Sequence, residues 1–214
     1  MSASQPQPAT GSGTLDGRTA VVTGAASGTG EATARAFAAE GTSVTVADIN
    51  QEAPQALARK IGGKAWVADL SDTVAREQVS LHAGILVNAG IQRIGPIHGL
   101  VASPFKSAYI TAKHGLQGLS KVAALEGAEH GVTSNCINPS YVRTPLVEKQ
   151  IADQARTNNI PEDEVLEKIM LANSPVKRLV EPAEVASLAT WLASDHAGMV
   201  TGASYAMDGA WTAR

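Results

Sequence analysis

The stretch TAVVTGAASGTGEATARAFAAEG, Thr19 to Gly41, sets a β-branched run, a glycine-rich turn and an Ala-rich segment in direct succession. Thr19 to Gly24 suits a buried strand, and Glu31 to Glu40 an amphipathic helix closed by Gly41. A strand that feeds a helix is followed by a strand returning in the same direction, because the crossover carries the chain back over the sheet. This unit therefore commits the fold to the α/β class before any other segment is considered.

The same rhythm continues. Ser43 to Ile49 predicts a second strand, Gln51 to Ile61 a second helix and Lys64 to Leu70 a third strand, while Leu81 to Val87 reads as a helix tail running into a fourth. Farther on, Ala112 to Glu129 predicts a long helix with Leu116, Leu119, Val122 and Ala123 on one stripe, followed by a strand at Val132 to Ile137. Pro182 to Ser194 predicts another helix, with Pro182 in its first turn, and Val200 to Gly209 a last strand. The expected architecture is α/β: one domain, residues 15–214, built on a doubly wound parallel sheet with helices on both faces. The charged segment between about 143 and 180, bounded by Pro145 and Pro175, breaks this rhythm and is expected to be a substrate lid.

Composition narrows the function. With 44% hydrophobic and 17% charged residues and a net charge of -3, the chain has the balance of a globular protein. It lacks the basic surplus of a general nucleic-acid or anionic-membrane binder. A small molecule or another subunit is the expected partner. Cys136 is the single cysteine, so no disulfide forms within the chain, and a buried structural thiol in a reducing compartment is expected. Residues 1–14 are polar and rich in Ser, Gln, Pro and Gly, which suits a disordered tail rather than a leader peptide. No apolar run approaches the ~18 residues of a membrane span, and the expected location is the cytoplasm.

The turn TGAASGTG carries the first chemistry. Gly24, Gly28 and Gly30, with Thr29 between the last two, would let the backbone approach a pyrophosphate at the head of a helix, where unpaired N–H groups and the helix dipole favour an anion. Asp48 ends the second strand, where a carboxylate accepts hydrogen bonds from a ribose 2′-OH and repels a 2′-phosphate. The surrounding ADIN has no Arg or Lys, so NAD is expected as cofactor over NADP.

With TGAASGTG, then NAG at Asn88 to Gly90, then YITAK at Tyr109 to Lys113, the chain resembles the short-chain dehydrogenase/reductase family from about Leu15 onward. More narrowly, HGLVASPFKSAYITAKHGLQGLSK and YVRTPLVEKQIADQA resemble the D-3-hydroxybutyrate dehydrogenases within it. The resemblance implies a Rossmann-like fold, a homotetramer, and a small hydroxyacid or ketoacid as substrate; it implies no metal. It casts Tyr109 as general acid/base. A free phenol has a pKa near ~10 and is a poor base at neutral pH, but Lys113, four residues on along a helix, would share its face and lower that pKa by charge. It further implies cofactor contacts at Gly24, Gly28, Thr29, Gly30, Asp48, Asp69, Leu70, Asn88, Ala89, Gly90, Pro139, Val142 and Thr144, with Tyr109 and Lys113 at the nicotinamide end. Gln92, His98, Lys106 and Gln150 match side chains that hold a small carboxylate.

Departures from the family are as informative. Its catalytic Ser lies thirteen residues before the Tyr, where this chain has Pro96, which carries no hydroxyl. Ser103 and Ser107 lie nearby but are expected to point elsewhere at the helix entry. Only twenty residues separate Asn88 from Tyr109, too few for the ~30 of a βαβ unit. About 45 residues are missing by this unit size: the helix after the fourth strand, the fifth strand and the Ser at its end. Ser140 and Ala210 stand where the family usually has glycine. Either the molecule carries residues beyond this sequence or the chain has a true internal deletion; the former is preferred, because a missing central strand exposes two rows of buried backbone groups at ~1–3 kcal/mol each. A chain with the deletion would be an NAD-binding or subunit-interaction protein without catalysis.

Overall fold

The computed structural model describes residues 13–69, 71–72, 86–88 and 96–213. Strands β1 (Thr19–Thr23), β2 (Ser43–Asp48), β3 (Lys64–Val67) and β4 (Leu86–Asn88) form a parallel sheet in the order β3-β2-β1-β4. Two further strands, β5 (Cys136–Pro139) and β6 (Ser204–Met207), pair in parallel as a separate sheet. The parallel α/β reading of the sequence therefore holds, and among the described residues the break between the sheets falls between β4 and β5, where the expected fifth strand would have stood.

Among the described residues there are five helices of nine or more residues: α1 (Gly28–Ala39), α2 (Ala53–Ile61), α3 (Ser107–Gly127), α4 (Pro145–Asn158) and α5 (Pro182–Ala193). Their ends follow local chemistry. Pro54 opens α2 and the left-handed Gly62 (φ 69°) closes it. The Thr144 hydroxyl accepts the Val147 N–H at the head of α4, and Asn159 (φ 52°) ends that helix. At α5, Glu184 reaches back to accept the Glu181 N–H at 2.8 Å while Pro182 takes the first turn.

The main core lies between the four-stranded sheet and the α1–α5 pair. Ala20, Val22, Val44 and Val46 meet Ala34 and Phe37 of α1, Leu57 and Ala58 of α2, and Ala189 of α5, all buried. A second cluster of Ile151, Val165, Met170 and Leu179 belongs to the 143–180 excursion, which Val142 and Val180 close with a parallel bridge.

Three boundaries differ from expectation. The long helix begins at Ser107, five residues before Ala112, after a left-handed Phe105 (φ 63°) turns the chain into it. The strand expected at Val132 to Ile137 starts only at Cys136. Its upstream residues are held by side chains instead: the Ser134 N–H donates to Thr201 Oγ1 and Asn135 Nδ2 to the Val200 carbonyl. The last strand is shorter than Val200 to Gly209, because its ladder with β5 spans only Ser204 to Met207. Cys136 is half-buried rather than enclosed.

Candidate active site

The glycine turn fits a dinucleotide pyrophosphate. A Cβ on Gly30 would stand 2.3 Å from the Gly24 carbonyl oxygen, so the turn closes only with glycine there, and Gly28 takes φ 58°. The Thr29 hydroxyl oxygen, at the head of α1, is shut from solvent without a hydrogen-bond partner, a donor aimed at nothing the protein itself supplies. Asp48 ends β2 and braces this turn: its Oδ2 accepts the Ala26 N–H at 2.9 Å and its Oδ1 the Asn50 N–H at 3.0 Å. A carboxylate has about four acceptor positions, so capacity for a ribose hydroxyl is left. Asp69 is exposed and accepts the Ser71 N–H at 2.8 Å, the main cause of its lowered pKa.

The opposite wall comes from the end of β5. Pro139, Val142 and Thr144 are buried, and a Cβ on Gly28 would lie 3.0 Å from Thr144 Cγ2, so this wall meets the glycine turn directly. Asn88 lies on β4, paired with Thr23 of β1. Leu70, Ala89, Gly90 and Gln92 lie outside the described residues.

Tyr109 and Lys113 sit one turn apart on the first half of α3. The Lys113 ammonium stands 5.5 Å from the centre of the Tyr109 ring, and partial burial pushes its pKa down. His98 is 1% exposed, in the short turn Pro96–Gly99, and meets the Tyr109 ring edge-on at 5.8 Å. Its Nε2 is 2.8 Å from Ser103 Oγ. Lys106, at the head of α3, is half-buried, and desolvation lowers its pKa as well. Gln150 is half-buried on α4. The structure thus gathers His98, Tyr109 and Lys113 around one helix face. The residue thirteen before Tyr109 is Pro96, which has no hydroxyl, and the Ser103 hydroxyl pairs with His98 Nε2.

Two neighbours were not legible in the sequence. Trp211 packs edge-on against His98 at 6.3 Å and lines, with Leu100, Val101, Asn173 and Thr212, a cleft of about 450 Å³. Below Tyr109 and Lys113, Gln117 donates to Asn138 Oδ1 at 2.6 Å and accepts from the Ser204 hydroxyl, joining α3 to β5 and β6. No local signal marks Trp211, which comes from more than 100 positions away.

A glycine cradle heading α1, a carboxylate ending β2 and a Tyr–Lys pair on one helix face describe an α/β oxidoreductase that works with a nicotinamide cofactor. The family model of short chain dehydrogenase matches residues 18–98, and that of enoyl-(acyl carrier protein) reductase matches residues 82–212. The chain belongs to the short-chain dehydrogenase family. It is 57% identical over 124 residues to D-beta-hydroxybutyrate dehydrogenase of Rhizobium meliloti, a stretch that is 58% of this chain and spans about half, 48%, of that protein. It is 35% identical to D-beta-hydroxybutyrate dehydrogenase of Cupriavidus necator over 257 positions, covering 94% of this chain and 100% of that one. A crystal structure with bound NADP, of an Agrobacterium tumefaciens protein assigned to 2-deoxy-d-gluconate 3-dehydrogenase, superposes with a TM-score of 0.78 at 28% identity, covering 94% and 98% of the two chains. An alignment of 257 positions against a chain of 214 residues leaves at least 43 positions of the Cupriavidus protein without a counterpart here.

Proposed function

We propose that this chain is an NAD-dependent dehydrogenase that interconverts (R)-3-hydroxybutyrate and acetoacetate. The observation that carries the reading is the cluster of Tyr109, Lys113 and His98, in a chain whose relatives include two D-beta-hydroxybutyrate dehydrogenases. A nicotinamide held at this site would supply the hydride acceptor for the substrate carbon. Tyr109 takes the alcohol proton on its phenolic oxygen, and the Lys113 ammonium stabilises the phenolate by charge. Lys106, His98, Gln92 and Gln150 supply donors to the substrate carboxylate, and Trp211 supplies an apolar wall. Thr29, the glycine turn, Asp48, Asp69, Leu70, Asn88 to Gly90, Pro139, Val142 and Thr144 hold the cofactor. The excursion at 143–180 serves as the lid. The Asp48 carboxylate, with no basic neighbour in ADIN, favours NAD over NADP.

Exposed apolar side chains along α3, Leu119 at 62% and Leu125 at 81%, support a homotetramer built on that helix, and the reading places the enzyme in the cytoplasm. The test measures NADH formation from (R)-3-hydroxybutyrate with NAD and with NADP, beside sedimentation of the same sample. Turnover at least tenfold faster with NAD by a tetramer is expected. Folded protein that turns over no hydroxyacid refutes the activity.

A second reading has its own observation. Pro96 provides no hydroxyl, and at least 43 positions of the Cupriavidus relative have no counterpart in this chain. On that reading the chain binds NAD without catalysis. NADH binding with no turnover supports it, and robust turnover rules it out.

A further inference from the structure

The Ser103 hydroxyl stands 2.8 Å from His98 Nε2, and the dehydrogenase reading gives it no task. Their bond closes the loop that runs from the turn Pro96–Gly99 to the head of α3. Backbone hydrogen bonds hold the start of that loop, where the Leu100 and Val101 N–H groups donate to the Ile97 carbonyl at 2.8 and 3.1 Å. Its far end passes through Pro104, which has no N–H to give, and the left-handed Phe105 (φ 63°) before α3 begins. The turn itself lies tight on the helix: a Cβ on Gly99 would stand 2.6 Å from Gln117 Nε2 and 3.3 Å from the Lys113 carbonyl oxygen.

His98 is wedged between two aromatic rings. It is 1% exposed, meeting Tyr109 at 5.8 Å with the ring planes at 75° and Trp211 at 6.3 Å with the planes at 76°. Packing fixes where the imidazole lies, but the outer torsion of a His side chain is broad and twofold, and a flipped ring fills almost the same space. The Ser103 hydroxyl removes that freedom, because a flip would put a ring carbon where Nε2 now sits and strand the buried nitrogen. Ser103 therefore sets the orientation in which the imidazole meets the Tyr109 ring, while the Lys113 ammonium meets that ring 5.5 Å from its centre.

Proton transfer requires the phenolic oxygen within about 2.6–3.2 Å of the substrate hydroxyl, and a displacement of about 1 Å can cost about 10² in rate. We propose that Ser103 is a positioning residue, whose hydroxyl locks the His98 imidazole in the orientation that steadies the Tyr109 phenol for proton transfer. It acts through His98, so its effect disappears when the imidazole is absent. The proposal rests on the dehydrogenase reading above.

The full chain is compared with Ser103→Ala, Ser103→Thr, His98→Phe and the double variant Ser103→Ala with His98→Phe. NADH affinity is measured by fluorescence titration and kcat by NADH formation from (R)-3-hydroxybutyrate. Ser103→Ala should lower kcat about tenfold, whereas Ser103→Thr, which keeps the hydroxyl, should stay within about threefold of the parent. NADH affinity should stay within about twofold for both. Adding Ser103→Ala to His98→Phe should change kcat by less than about twofold, because residues that act as one unit are not additive. A further loss of about tenfold in the double variant overturns the proposal, since Ser103 then acts without His98. So does a Ser103→Ala kcat within about threefold of the parent. So does a loss that Ser103→Thr shares or that a matching loss of NADH affinity accompanies, which makes the residue a structural part of the loop. A parent chain that binds NADH yet turns nothing over overturns the dehydrogenase reading, and the role of Ser103 with it.

Discussion

Lys113 carries a desolvation cost at the candidate site. Its ammonium lies over the Tyr109 ring, and desolvation holds its pKa below the ordinary 10.5. A lowered lysine pKa means that the unfolded chain binds more protons than the folded one between the folded pKa and 10.5. The penalty is thus complete below that window and lifts as pH rises through it. Lys113→Met keeps the length of the side chain and removes the charge. It should abolish turnover while raising the thermal midpoint at pH 7, with the gain shrinking as pH rises through that window to 10.5. Calorimetry from pH 6 to 11 checks this; a lowered midpoint at pH 7 would show that the ammonium is net stabilising. At this scale the residues the sequence proposes as a pair, Tyr109 and Lys113, are found together on α3, because four residues along a helix share a face. The His98–Ser103 bond and the Trp211 contact were not legible in the sequence, since each depends on how a turn or a distant segment comes back to the helix.

At the scale of elements, chain order and type were legible wherever local chemistry agreed with the pattern. Pro54 and Gly62 bracket α2, and Thr144 with Pro145 opens α4. The start of α3 was missed because Lys106 supplies no side-chain cap, leaving nothing in the sequence to mark Ser107. The start of β5 was misplaced because Val132 and Thr133 favour a strand intrinsically, while Ser134 and Asn135 are committed to side-chain bonds with the segment before β6. The head of α5 yields a prediction. Glu184 accepts both Arg178 Nη1 and Nη2 at 2.7 Å and the Glu181 N–H, and the Arg178 hydrogen bonds are the first cause of a pKa lowered from 4.5 to about 2. A lowered carboxylate stabilises the fold above the ordinary carboxylate range and ceases to do so as pH falls toward about 2. The ion pair is exposed and screened, so Glu184→Ala should cost mainly the cap, about 1 kcal/mol. Urea titrations at pH 7 and pH 3 should show the difference from the parent shrinking at the lower pH; an equal difference at both would assign the loss to packing.

For the whole molecule, the decisive feature is that among the described residues the parallel strands stand in two sheets. β1 and β2 are covered by α1, α2 and α5, with Ala20, Val22 and Val46 at 0% exposure. β5 and β6 are covered less completely, although Ile137 packs against the main core and Trp191 of α5 meets Tyr205: Cys136 and Ile137 are half-buried, Ser204 and Ala206 are exposed, and α3 buries only Ala124 fully. Backbone protection tracks burial and local packing, so the two sheets should open with different free energies instead of as one unit. Native-state hydrogen exchange should find the β1 and β2 amides protected to the global limit and the β5 and β6 amides exchanging at least about tenfold faster through a smaller opening, a difference of ~1.4 kcal/mol. Cofactor provides the control. Pro139, Val142 and Thr144 form the wall that meets the glycine turn, so NADH bridging the two sides should slow exchange in β5 and β6 more than in β1 and β2. Equal protection of both sheets without cofactor would mean that packing through α3 and α5 already couples them, and that the divided sheet carries no cost in cooperativity.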